Sequence, residues 1–172
     1  MKKIIISLLV VCMLASCIVV FASCNKASSV KPELDLEEAK DALEDEDYMV
    51  QYSDDEDDLG VGVKESLAAY NEDDDGLYII VYADSKLANL AYEEVKAEYD
   101  VEVESIKREI KQLEHILDKY EDDLDSDEVD EYEDKIKELK KELEEMEEDY
   151  TFGKSGKTVW YGTVDAAKDS KG

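Results

Sequence analysis

The sequence predicts an α+β protein: a small antiparallel sheet with helices on one face, carrying an inserted antiparallel coiled-coil hairpin, with a ferredoxin-like strand order as one arrangement that fits. Three observations carry this. The run Leu77-Tyr78-Ile79-Ile80-Val81-Tyr82 is β-branched and aromatic throughout, which is strand composition. Apolar residues then recur at alternating intervals of three and four, first from Val103 to Leu124 and again from Val129 to Tyr150, as the seam of a heptad repeat does. Thr158-Val159-Trp160-Tyr161-Gly162-Thr163 returns to strand composition afterwards, so the hairpin interrupts a domain.

In chain order, Lys2 and Lys3 precede an apolar run from Ile4 to Ala22 broken only by Ser7, Ser16 and the cysteines Cys12 and Cys17, the charged and hydrophobic regions of an export signal. Two tetrapeptides in or after this run, Leu14-Ala15-Ser16-Cys17 and Phe21-Ala22-Ser23-Cys24, resemble the lipobox of bacterial membrane lipoproteins. The resemblance implies cleavage before the Cys and a diacylglycerol thioether on it, so that the mature chain sits on the outer face of the cell membrane. Cys24 is preferred because polar Asn25-Lys26-Ala27-Ser28-Ser29 follows it, whereas Cys17 would leave Ile18-Val19-Val20-Phe21 at the mature start. Cys17 stays open because Leu14 suits the box better than Phe21. Ordinary cleavage after Ala22 and retention of the run as a membrane helix are the competing readings. The expected organisation is a signal peptide at 1–23, a polar tether at 24–31, a domain from 32–100 and 151–172, and the hairpin at 101–150.

Within the domain, Leu34, Leu36, Ala39 and Leu43 recur at helical spacing between Pro32 and Glu46. Tyr48-Met49-Val50-Gln51-Tyr52 reads as a strand, and the acidic run 54–58 with Gly60 and Gly62 reads as a loop, because adjacent like charges repel in any compact arrangement. Ser66–Tyr70 and Leu77–Tyr82 flank the turn-like stretch Asn71–Gly76, predicting an antiparallel pair. Asp84-Ser85 start a helix that runs past Tyr99 into the first seam, formed by Val103, Ile106, Ile110, Leu113, Leu117, Tyr120 and Leu124. A break at 123–127, where Asp125 or Ser126 can cap a new helix, precedes the second seam of Val129, Tyr132, Ile136, Leu139, Leu143, Met146 and Tyr150. Pairing Leu117 with Ile136, Ile110 with Leu143 and Val103 with Tyr150 keeps a constant index sum of 253, so two antiparallel helices projecting about 35 Å are expected. Gly153 is expected to end the second helix, and residues 164–169 to form a frayed terminal turn.

The charge bounds the function. Against 20 basic side chains stand 48 acidic ones, a net −28 that falls to −30 when Lys2 and Lys3 leave with the signal. A surface of that sign argues against nucleic acid as a partner. One His leaves no two-His metal motif, and the three Cys all lie at or before position 24, so the body holds no thiolate nucleophile, disulfide or zinc site. Gly153-Lys154-Ser155-Gly156-Lys157 lacks the upstream Gly of a phosphate loop and follows a helix, which argues against a nucleotide.

Asn71, Asp73 and Asp75 followed by Gly76 match the opening of a calcium loop, but the twelfth position is Tyr82 instead of a bidentate Glu. An acidic turn is the simpler reading, with loose divalent cations as its furthest reach. His115 falls opposite the seam and reads as solvent-facing. Six of the eleven tyrosines, Tyr48, Tyr52, Tyr70, Tyr78, Tyr82 and Tyr161, fall on expected strands with Trp160 beside them, where they pack or form a binding patch. Size, charge and lipobox resemble those of small acidic lipoproteins of Gram-positive bacteria. The expected function is therefore that of a non-enzymatic, lipid-anchored module that meets a protein partner through its hairpin or its sheet, without a cofactor beyond the covalent lipid. Calcium binding or buffering by the acidic loops is the alternative.

Overall fold

The computed structural model describes residues 28–55, 59–120 and 124–172, so the expected signal peptide, Cys17, Cys24 and part of each of two acidic loops lie outside the described residues. The elements run α1 (Leu36–Asp45), β1 (Met49–Ser53), β2 (Val63–Tyr70), β3 (Gly76–Tyr82), α2 (Ser85–Tyr120), α3 (Ser126–Asp149), β4 (Tyr150–Ser155), β5 (Thr158–Thr163) and α4 (Val164–Asp169). This is an α+β architecture.

The five strands form one sheet in the order β1-β2-β3-β5-β4, antiparallel at every step. β1 to β3 are a meander, while β5 lies between β3 and β4, the two strands that the long helices connect. That split crossover is the part of a ferredoxin-like sheet the protein shares. The meander edge is not.

Register sorts the side chains into two faces. Val50, Tyr52, Leu67, Ala69, Leu77, Ile79, Val81 and Trp160 share one face and pack with Leu36, Ala39 and Leu43 of α1 and Ala166 and Ala167 of α4. Tyr78, Tyr161, Tyr150 and Phe152 point to the other, where Tyr92 and Tyr99 of α2 lie against Phe152. Helices therefore cover both faces, which corrects the expectation of one. The cause is legible in β3 and β5: each is apolar at consecutive positions, as a strand buried from both sides must be.

Local chemistry sets the ends. The Asp35 carboxylate accepts from the backbone N–H of Glu37 and Glu38 and starts α1. The Asp84 carboxylate does the same for Lys86 and Leu87 at α2, and those bonds hold it below the usual carboxylate range. Residues 164–169 are helical and not frayed, because Thr163 caps them and Val164, Ala166 and Ala167 are buried. Gly153 does not end α3; it lies inside β4, opposite Trp160. A Cβ there would come within 2.3 Å of the indole, so glycine is required for the ring to lie flat on the strand. The indole N–H is buried with no partner.

The leading residues are part of this body. Ser28 makes a parallel bridge with Thr151, its N–H donating to the Tyr150 carbonyl at 3.0 Å. The Thr151 hydroxyl, fully buried, is shared between the carbonyls of Val30 (2.6 Å) and Ser28 (3.1 Å). Further along, the Glu33 N–H donates to the buried Ser170 hydroxyl at 3.0 Å. Residues 28–31, expected as tether, thus lie pinned along the outer edge of β4.

Candidate functional site

The hairpin starts where α2 leaves the sheet. Tyr99 is the last α2 residue held by strand aromatics, stacked on Tyr150 at 5.6 Å and tilted against Phe152 at 5.2 Å. Its hydroxyl donates to the Met146 carbonyl at 3.3 Å. Burial, with Glu147 and Asp100 nearby, pushes its phenol up to about 12.

Beyond this root the seam residues do close on each other. Ile106, Ile110, Leu113, Ile136 and Leu139 form one buried cluster with Leu117, Tyr132, Leu143 and Met146 half-buried around it. Val103 is fully buried, Leu124 and Val129 are half-buried at the tip, and Tyr120 is 43% exposed. Tyr150, assigned to the second seam by its spacing, is the first residue of β4.

The register differs from the one the sequence suggested. Tyr99 over Tyr150 gives an index sum of 249. On one flank Lys107–Glu147 (3.5 Å) and Glu114–Lys140 (2.8 Å) each sum to 254; on the other Glu109–Lys135 (2.7 Å) sums to 244. These lie symmetrically about 249, which sets Ile110 opposite Leu139, Leu113 opposite Ile136 and Ile106 opposite Leu143. A sum of 253 would face equivalent heptad positions and centre the turn inside α3. At 249 each a position meets a d position, so the knobs of one helix interleave with those of the other. The expected pairs Ile110–Leu143, Leu117–Ile136 and Val103–Tyr150 are therefore each off by about one turn.

The tip is closed by a capping box: the Asp125 carboxylate accepts from the N–H of Asp127 and Glu128, and the Glu128 carboxylate accepts from the Asp125 N–H. Of the two sequence candidates for this cap, Asp125 takes the role.

Charge divides the two arms. Residues 126–149 of α3 carry 13 acidic and four basic side chains, whereas residues 101–120 of α2 carry five and four. The outer face of α3 is thus the strongly anionic surface of the hairpin. Arg108 of α2 lines a shallow depression of about 300 Å³ with Ser105, Glu109, Gln112, Leu113 and Ile116. A second, of about 230 Å³, is lined by Leu113, Glu128, Glu131, Tyr132 and Lys135. His115 is exposed on α2.

The turn Asn71–Asp75 is organised by its own amide. The Asn71 carboxamide oxygen accepts from the N–H of Asp73 (3.0 Å) and Asp75 (2.9 Å), its nitrogen donates to the Asp75 carboxylate (3.4 Å), and Asp74 takes a left-handed conformation at φ 69°. Two of the three candidate calcium ligands, Asn71 and Asp75, are therefore engaged with each other, and Asp73 is exposed. Among the described residues no group of three or more metal-ligating side chains converges. No described helix is long and apolar enough to cross a membrane.

The tyrosines act mostly as packing. Tyr78 stacks on Tyr161 at 4.9 Å across β3 and β5. Burial raises the phenols of Tyr161 and Tyr150 well above the ordinary range. Tyr48, just ahead of β1, is buried under α4 and donates to the Asp169 carboxylate at 3.0 Å; burial first and then that bond raise it too. Tyr70 and Met49, on the half of the sheet that α2 does not reach, remain exposed. The chain matches no family description, no curated protein and no solved structure.

Proposed function

We propose that the protein is an exported module, held to the outer face of the cell membrane by a diacylglyceryl group on Cys24, that binds a basic surface of another protein through the anionic outer face of α3. The observation carrying this reading is the charge division of the hairpin: 13 acidic against four basic side chains on one arm, with the seam turned inward and the charges outward. Such a face attracts a lysine- or arginine-rich partner and speeds its approach. The lipobox-like tetrapeptides support the anchoring, and the absence of a His, Cys or phosphate-loop constellation from the mature sequence supports a binding role over a catalytic one.

A photocrosslinking residue placed at Asp134, exposed on α3, tests it in intact cells. A discrete adduct is expected, weakened by added salt and abolished when Glu131 and Glu138 are both reversed to Lys. An adduct unaffected by the reversal, or no adduct, contradicts the reading.

A further inference from the structure

We infer that β1 takes an added strand from a partner protein: an extended segment with an uncharged stretch as long as β1 and with lysine or arginine at both of its ends. Neither the lipid anchor nor the α3 surface enters this inference.

β1 ends the sheet and has β2 as its one strand neighbour among the described residues. Every second N–H and C=O pair of such a strand points away from the sheet. The opposite edge is already taken: Ser28 bridges Thr151 of β4, and the Thr151 hydroxyl holds the Ser28 and Val30 carbonyls. β1 carries none of the devices that blunt an edge. Met49-Val50-Gln51-Tyr52-Ser53 has no charge and no proline, and its pairing with β2 runs through all five residues without a bulge. Its two rows of side chains are unfinished. Val50 and Tyr52 are half-buried where the core reaches the edge, and Met49, 53% exposed, stands beside Tyr70, 39% exposed, on the half of the other face that α2 does not reach. A strand added here continues both rows.

Charge names the occupant. Exposed Asp45, Glu46 and Asp47 precede the strand, and exposed Asp54 and Asp55 follow it. Burial first, then the charges of Glu65, Asp54, Glu37 and Asp35, raise the Tyr52 phenol above its ordinary value, so acids surround the core row at its edge as well. A second copy fits this edge badly. Set antiparallel, the Asp45–Asp47 end of one β1 meets the Asp54–Asp55 end of the other; set parallel, each acidic end meets its own kind, and like charges placed opposite each other destabilise the pair. The five residues of β1 span about 17 Å. A segment with basic residues at that separation meets an acidic group at each end and lays its uncharged stretch along the strand.

The test uses the full-length chain in neutral detergent, with the synthetic peptide Lys-Lys-Val-Thr-Val-Thr-Val-Lys-Lys as probe. A control peptide has proline in place of the central valine, which keeps the charge and removes a strand N–H. Hydrogen exchange read at single amides is expected to slow within Met49–Ser53 when the probe is added and to stay unchanged with the control. The double reversal Glu46→Lys/Asp54→Lys is expected to weaken probe binding about tenfold, with exchange at Leu77 and Ile79 unaltered as the sign of an intact fold. If that variant fails to fold, the comparison of the two peptides on the unaltered chain still decides. Slowing confined to residues 126–149 and equal for both peptides overturns the inference while leaving the proposed α3 surface standing. No slowing at any amide overturns it as well. Slowing at β1 that grows with protein concentration in the absence of peptide overturns it in favour of a second copy.

Discussion

Thr151 is the point at which the leading segment becomes part of the fold. Its hydroxyl satisfies two backbone carbonyls from 121 and 123 residues away, in a site with no exposure. Thr151→Val keeps the shape and removes the donor, leaving buried acceptors unpaired at a cost of about 1–3 kcal/mol. Denaturant unfolding is expected to show that loss, and hydrogen exchange to show the Ser28 amide losing protection while Leu77 and Ile79 keep theirs. The buried phenols make a second prediction. Tyr48, Tyr99, Tyr150 and Tyr161 are each raised above the ordinary value of 10. A raised folded-state value means that the neutral form is the one the fold stabilises. The contribution is complete below pH 10 and is lost as pH climbs through the folded-state values, about 12 for Tyr99. Phenolate absorbance from Tyr48, Tyr99, Tyr150 and Tyr161 is expected to appear only as the protein unfolds, together with the loss of the folded-state signal.

At the scale of elements, the hairpin register is the feature most open to direct test. The double substitution Ile110→Cys/Leu139→Cys is expected to form a disulfide under mild oxidation, whereas Ile110→Cys/Leu143→Cys, displaced by about one turn, is expected to remain reduced or to crosslink between molecules. The reverse outcome would restore the pairing suggested by spacing alone. Seam membership was readable from the heptads because 3.5-residue periodicity survives in the sequence. Which residue faces which was not, since a single helix pattern is consistent with several registers. It is set by the turn length, by the Tyr99–Tyr150 stack and by the flanking ion pairs, all of which are pairings across the sequence. β4 was missed for a similar reason. Tyr150-Thr151-Phe152 continues an apolar spacing inherited from α3, and Gly153 resembles a helix stop until Trp160 is seen lying on it.

For the whole molecule, a net charge of −28 implies self-repulsion in the compact state, concentrated on α3 and the acidic loops. Raising the salt from about 10 to 150 mM shortens the screening length from about 30 to 8 Å. The melting temperature is accordingly expected to rise, and hairpin helicity to gain more than the sheet signal. A melting temperature that falls with salt would mean that the exposed ion pairs outweigh the repulsion, against their individual worth of about 0–1 kcal/mol. The α+β class, the β2–β3 pair and the inserted hairpin were legible because each depends on local pattern. The two-sided covering of the sheet and the docking of residues 28–31 on β4 were not, because they depend on which faces and edges remain after the strands have paired. The position of the proposed lipid anchor was legible only as a choice between two cysteines. In that reading the choice sets how far the body can stand from the membrane. The most direct measurement is therefore the intact mass and N-terminal fragment spectrum of the protein extracted from its own membrane. The account predicts a chain beginning at Cys24 with a diacylglyceryl adduct on that residue; a chain carrying no acyl group at any cysteine would contradict it.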